Sequence, residues 1–257
     1  MANKRKKYED DGLISMSLGD HLEELRSRLM LAITGFVAAI LISLFFGNWF
    51  LAAILSPYQT AMQEAGVDVK LQAIEVAEPF MVYIKASMVL AALISSPWLF
   101  YQMWAFVSAG LYKHERRFVY TAAPASAILF ICGVLLFLLG IAPLAFKYLA
   151  KFQLGVEYIY QPQITKAVNF VLTLALVFGA AFQTPIAIVF AERMGLITVE
   201  TLCRVRKYVI LAAFIVAAMA TPPDPVTQVS LAIPLYILYE GSILVCRLWH
   251  KKRKQAA

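Results

Sequence analysis

Polar and apolar positions along this chain fall into long blocks, not the short periods of a soluble fold. Predominantly apolar runs, each able to cross about 30 Å of hydrocarbon as a helix, cover residues 29–48, 79–101, 119–141 and 168–190. Two shorter runs follow at 207–220 and 226–246. In hydrocarbon no water satisfies the backbone, so each run must make its own hydrogen bonds, which predicts helices. The pattern predicts an all-α membrane protein, a bundle of six transmembrane helices ending in a short helical hairpin. Residues 207–220 would span only roughly 20 Å before Thr221-Pro222-Pro223-Asp224-Pro225 breaks the chain. Such a hairpin thins the bilayer, sinks below its surface, or is shielded by neighbouring helices.

Ahead of the first run, Ser17 and Asp20 carry a helix-start signal. Leu18, Leu22, Leu25 and Leu29 then recur at helical spacing. This predicts an amphipathic helix on the membrane surface that continues into the first span. Its charges have a local outlet, since Glu24 and Arg28 stand at i,i+4 and can pair along the helix.

Composition supports the membrane reading: 61% of residues are hydrophobic and 15% charged, far from soluble usage. The net charge of +7 would suggest nucleic acid in a soluble chain. Here it fits basic loops facing anionic lipid headgroups, and no nucleic-acid partner is expected. If the N-terminus is cytosolic, 18 of the 23 Lys and Arg residues fall on the cytosolic side. The positive-inside rule then places both ends in the cytosol. Residues 1–16 read as a flexible basic and acidic N-terminus, 17–248 as one transmembrane domain, and 249–257 as a basic cytosolic tail. The basic stretch Lys4–Lys7 is followed by Glu9, Asp10 and Asp11 instead of an apolar segment, so no cleaved leader is expected.

Cys132, Cys203 and Cys246 are too few and scattered for a disulfide framework, and His21, His114 and His250 have no metal-site spacing. No nucleophile–base pair, phosphate loop or metalloprotease motif is present, so neither a cofactor nor an enzymatic activity is expected. Gln183, near the middle of the fourth run, and Glu240, about two turns from the end of the sixth, are polar groups that hydrocarbon penalises. They should face the bundle or a partner helix, although Glu240 has the further options of snorkelling or staying protonated. Glu115 sits among basic residues, where local neutralisation already accounts for it. The residues alone thus favour binding or transport over catalysis.

Four motifs narrow this reading. They are His21-Leu22-Glu23-Glu24-Leu25-Arg26-Ser27-Arg28-Leu29, Tyr101-Gln102-Met103-Trp104-Ala105-Phe106, Leu111-Tyr112-Lys113-His114-Glu115-Arg116-Arg117 and Thr221-Pro222-Pro223-Asp224. In this order around six spans they resemble the TatC family, the multispanning subunit of the twin-arginine protein translocase, over roughly residues 17–248. The resemblance implies a receptor and core scaffold in the bacterial cytoplasmic membrane that binds twin-arginine signal peptides of folded proteins. It further implies small single-span partners of the TatA and TatB type, a homo-oligomer within a larger complex, and transport driven by the proton-motive force. Carried over by position, Glu24 and Glu115 form the arginine-recognition site, with Arg26 and Phe106 in support. Pro57 and Phe80 match far-side assembly positions. Asp224 and Gln228 match polar positions of the last hairpin, and Met219 and Thr221 fall where the fifth span meets a single-span partner. Several family members carry glutamate where Gln183 stands, and glutamine retains hydrogen bonding without a titratable proton.

The main rival on sequence is a secondary transporter of a small solute. It would need a sealed midplane cavity lined by several polar groups, and Gln183 with Glu240 is sparse provision for one.

Overall fold

The structure, a computed structural model, describes residues 18–64, 71–111, 116–151, 161–220 and 225–256. Helix α1 runs unbroken over Leu18–Glu64, so the predicted amphipathic segment and first span are one rod of 47 residues, about 70 Å long at 1.5 Å per residue. Pro57 lies inside it without ending it, as a span supported by neighbouring helices tolerates. Helix α2 (Glu78–Ala109) returns alongside α1. α3 (Arg116–Leu136) passes through a π-helical turn at Phe137–Ile141 into α4 (Ala142–Lys151).

The predicted fourth span is two helices, α5 (Ile164–Ala181) and α6 (Thr184–Arg193). Pro185, without a backbone N–H, suits only the first turn of a helix. The chain therefore breaks at Phe182-Gln183 and restarts. α7 (Val199–Ala220) and α8 (Pro225–Ala256) complete the bundle. Among the described residues, five helical stretches are long and apolar enough to cross a membrane: Gly19–Glu64, Glu78–Ala109, Phe118–Leu149, Ile164–Arg193 and Thr227–Trp249. α7 is not among them, because Glu200, Arg204, Arg206 and Lys207 occupy its first turns and leave only the short apolar stretch beyond.

Glycine lets the main helix pairs close. A Cβ on Gly35 would collide with the Trp98 indole, and one on Gly47 with Ser87 and Tyr83. Without them α1 lies directly on α2, where the Trp98 indole N–H donates to the Leu31 carbonyl at 3.0 Å and the Tyr83 hydroxyl donates to that of Leu44. Gly133 and Gly179 do the same for α3 against α5. Small residues at helix crossings are the usual means of close packing in lipid. The principal core gathers Ile54, Val82, Val134, Phe137, Val171 and Phe178. A second, aromatic cluster stacks Trp104, Phe118 and Phe190 edge-to-face and face-to-face. α1 is the least covered span: 11% of its most apolar window is buried, against 33–39% for the others.

Far from the α1 N-terminus, the segments preceding α2 and α5 are knotted together. Gln72 N–H donates to the Pro162 carbonyl and Ile164 N–H returns a bond to the Gln72 carbonyl, both at 3.0 Å. Buried Glu78 sits at the centre, just ahead of the apolar run that begins at Pro79. Its carboxylate accepts the N–H groups of Ile74 (2.7 Å), Glu75 (3.2 Å) and Thr165 (3.1 Å).

Candidate functional site

The α1 start and the α2 end meet at one edge of the bundle. Antiparallel packing sets the first turns of α1 against the last turns of α2, and two tethers fix their register. His21 stacks on Phe106 with ring centroids 4.7 Å apart and planes at 29°. Seven residues deeper, Arg28 Nη1 donates to Gln102 Oε1 at 3.2 Å. Glu24 lies between these tethers. Arg28 Nε donates to its Oε1 at 2.7 Å, so the i,i+4 pair that the spacing allows is formed. Glu24 keeps 27% side-chain exposure and Arg28 32%.

This arrangement supplies a fixed, partly open carboxylate. One oxygen is engaged by a neighbour that is itself held from across the helix pair, and a carboxylate has room for several donors. An incoming guanidinium can add to Glu24 or displace Arg28 from it. His21, about one turn before Glu24 on α1, covers part of the Phe106 ring. Arg26, exposed on α1, is two residues beyond Glu24 and hence about 200° around the helix. Glu115 lies outside the described residues. Close to that segment, Arg116 Nε donates to the Leu111 carbonyl at 3.4 Å.

The remaining positions singled out by sequence are dispersed. Gln183 stands in the α5–α6 break, where its Nε2 donates to the Ser126 carbonyl on α3 at 3.0 Å. The Ser126 hydroxyl in turn accepts the Trp104 indole N–H at 2.8 Å. Gln228 Nε2 donates to the Phe214 carbonyl at 3.1 Å, closing α8 onto α7. Met219 is 83% exposed and Phe80 62%, whereas Pro57 is half-buried within α1. Thr221 and Asp224 lie outside the described residues. Glu240 is ion-paired, with Arg206 Nη2 donating to Oε2 at 2.8 Å and the Tyr236 hydroxyl to Oε1 at 2.9 Å.

Sequence reasoning missed Gln102 and Glu78. Gln102 is one turn before Phe106, hence on the same face of α2. Glu78, directly preceding Pro79, has the form of a helix start. Among the described residues, no group of three or more His, Cys, Asp or Glu side chains is placed to hold a metal ion.

Residues 20–234 match the family model described as "Sec-independent protein translocase protein (TatC)". The chain is 35% identical to the protein of that name from Haemophilus influenzae, covering 95% of this chain and 93% of the relative. It is also 35% identical to the one from Halothiobacillus neapolitanus, over 91% of this chain but only 63% of that longer relative. A crystal structure described as twin arginine translocase receptor TatC superposes with a TM-score of 0.77 at 35% identity, over 89% of this chain and 98% of the other.

Proposed function

For a chain that belongs to the TatC family of Sec-independent protein translocase proteins, multi-pass in the bacterial cytoplasmic membrane, we propose the role of signal-peptide receptor. The Glu24 region clasps the paired arginines of a twin-arginine leader at the cytosolic face. The observation that carries this reading is the braced but partly exposed carboxylate of Glu24, held between the His21–Phe106 and Arg28–Gln102 tethers. Glu115, on the connection between α2 and α3, supplies the second carboxylate, with Arg26 and Phe106 as supporting residues.

Chemistry gives the selectivity. Guanidinium presents a planar fork that grips a carboxylate through two parallel N–H bonds, whereas ammonium is a compact point charge. Each charge-assisted bond contributes roughly 1.5–3 kcal/mol net. Two carboxylates on a surface otherwise rich in Lys and Arg form a local sink for two adjacent arginines.

In the same proposal residues 17–248 form the transmembrane domain between a basic and acidic N-terminus and a basic tail. α7 provides a sixth crossing, and both termini face the cytosol, as the distribution of Lys and Arg favours. Gln183, Met219, Thr221, Asp224 and Gln228, with Pro57 and Phe80, meet single-span partners of the TatA and TatB type or other copies of the chain. Transport of folded cargo then draws on the proton-motive force.

Photocrosslinking of a twin-arginine signal peptide to the chain in membrane vesicles tests the site. Glu24→Ala and Glu115→Ala should each reduce the adduct at least tenfold while the protein still inserts. Undiminished adduct in both variants would overturn the assignment.

A further inference from the structure

A second place on the molecule has the makings of a ligand site that the receptor role does not use. Between the first turns of α7 and the middle of α8 lies a groove of about 410 Å³, within the range of small-molecule sites. Its polar wall is a stripe on α8, Tyr236, Glu240 and Arg247, faced by Arg206 from α7. The Glu240 charge is met within the fold by Arg206, whose Nε also lies 2.7 Å from Oε1, and by the Tyr236 hydroxyl. Arg247 differs. Its Nη2 donates to the Cys203 thiol at 2.9 Å, a weak and neutral acceptor, and no described carboxylate pairs with it. The groove therefore carries one uncompensated, exposed guanidinium.

Its other wall is apolar. Ile237 and Leu244 are 62% and 58% exposed, seven residues apart and so on one face of α8. Gly241 forms the floor, and a Cβ placed on it would meet nothing within 4 Å. Glycine in a helix interior costs stability relative to alanine, and no close neighbour requires it here. What its absent side chain does is keep the groove open.

We propose that this groove binds an anionic phospholipid. Arg247 takes the phosphate of the headgroup, and the Ile237–Gly241–Leu244 trough takes the start of an acyl chain. Charge complementarity and depth select the occupant: the groove joins a cationic end to an apolar trough at the end of a span, where headgroup phosphate meets hydrocarbon. On the topology proposed above this is the inner leaflet, next to the basic tail. The ligand chemistry is a phosphate monoester or diester, and the apolar trough distinguishes a lipid from a free anion.

Native mass spectrometry on the full, delipidated chain in detergent micelles provides the test, with phosphatidylglycerol, phosphatidylcholine and inorganic phosphate as separate probes. The wild type should hold one phosphatidylglycerol roughly fivefold more strongly than phosphatidylcholine. Arg247→Gln should bring that ratio close to one. Gly241→Leu, whose Cβ would meet nothing within 4 Å and whose branched end extends into the groove, should lower retention of both lipids at least fivefold without lowering the thermal midpoint of the lipid-free protein. Wild-type lipid retention in both variants would overturn the proposal. So would displacement of the lipid by inorganic phosphate at equal concentration, which would mark a free-anion site.

Discussion

The two ends of the helix pair α1–α2 use the same functional group in opposite ways. At the far end, Glu78 is 4% exposed and three backbone N–H groups from two chain segments converge on it. At the near end, Glu24 keeps more than a quarter of its side-chain surface and is held by one arginine of its own helix. A carboxylate saturated by backbone donors is a structural knot, since its loss leaves several part-buried amides without their acceptor. A carboxylate braced from one side and open on the other remains available to a ligand. The lesson is that exposure and donor count, not charge or family position alone, separate the binding carboxylate from the building one.

The largest expected effects break this contrast by exchanging the truncations. Glu78→Ala should lower the thermal midpoint of the purified protein by on the order of 5 °C or more, read by intrinsic fluorescence in detergent. Glu24→Ala should leave that midpoint within roughly 1–2 °C, since a partly exposed i,i+4 pair contributes little. Equal losses in the two variants would erase the distinction.

A second experiment sharpens the ligand side. Changing one arginine of the signal peptide to lysine should weaken its binding about tenfold, and changing both should weaken it further, because the fork is lost while the charge remains. Equal affinity for all three peptides would mean that the receptor end reads charge only.

Most of the helical architecture was legible in the sequence because hydrophobic block length reports directly on what can sit in lipid. The Glu24–Arg28 pair was legible for the same reason of locality: four residues on a helix are neighbours wherever the rest of the chain goes. Interactions that escaped are those whose partners are remote along the chain. Arg28 reaches Gln102, Glu78 reaches Thr165, and Arg206 reaches Glu240; periodicity shows which face is polar but not which faces meet. The break at Phe182-Gln183 was signalled by Thr184-Pro185, but an apolar run averaged over some twenty residues hides a single turn. α1 escaped in the other direction, since the apolar run that marks the first span ends at residue 48 while the helix continues to Glu64.

That unbroken α1 has a mechanical corollary. In a continuous helix of about 70 Å, with Pro57 as its one proline near the far end, an angular displacement at one tip becomes travel at the other. A tilt of about 5° about one tip sweeps the opposite tip through roughly 6 Å, on the scale of one helical turn. The terminal Glu64, bonded to Lys147 of α4 at 2.8 Å, is where that travel would be delivered. Leverage of this kind needs no chain of switching side chains between the two faces of the membrane, only a stiff beam.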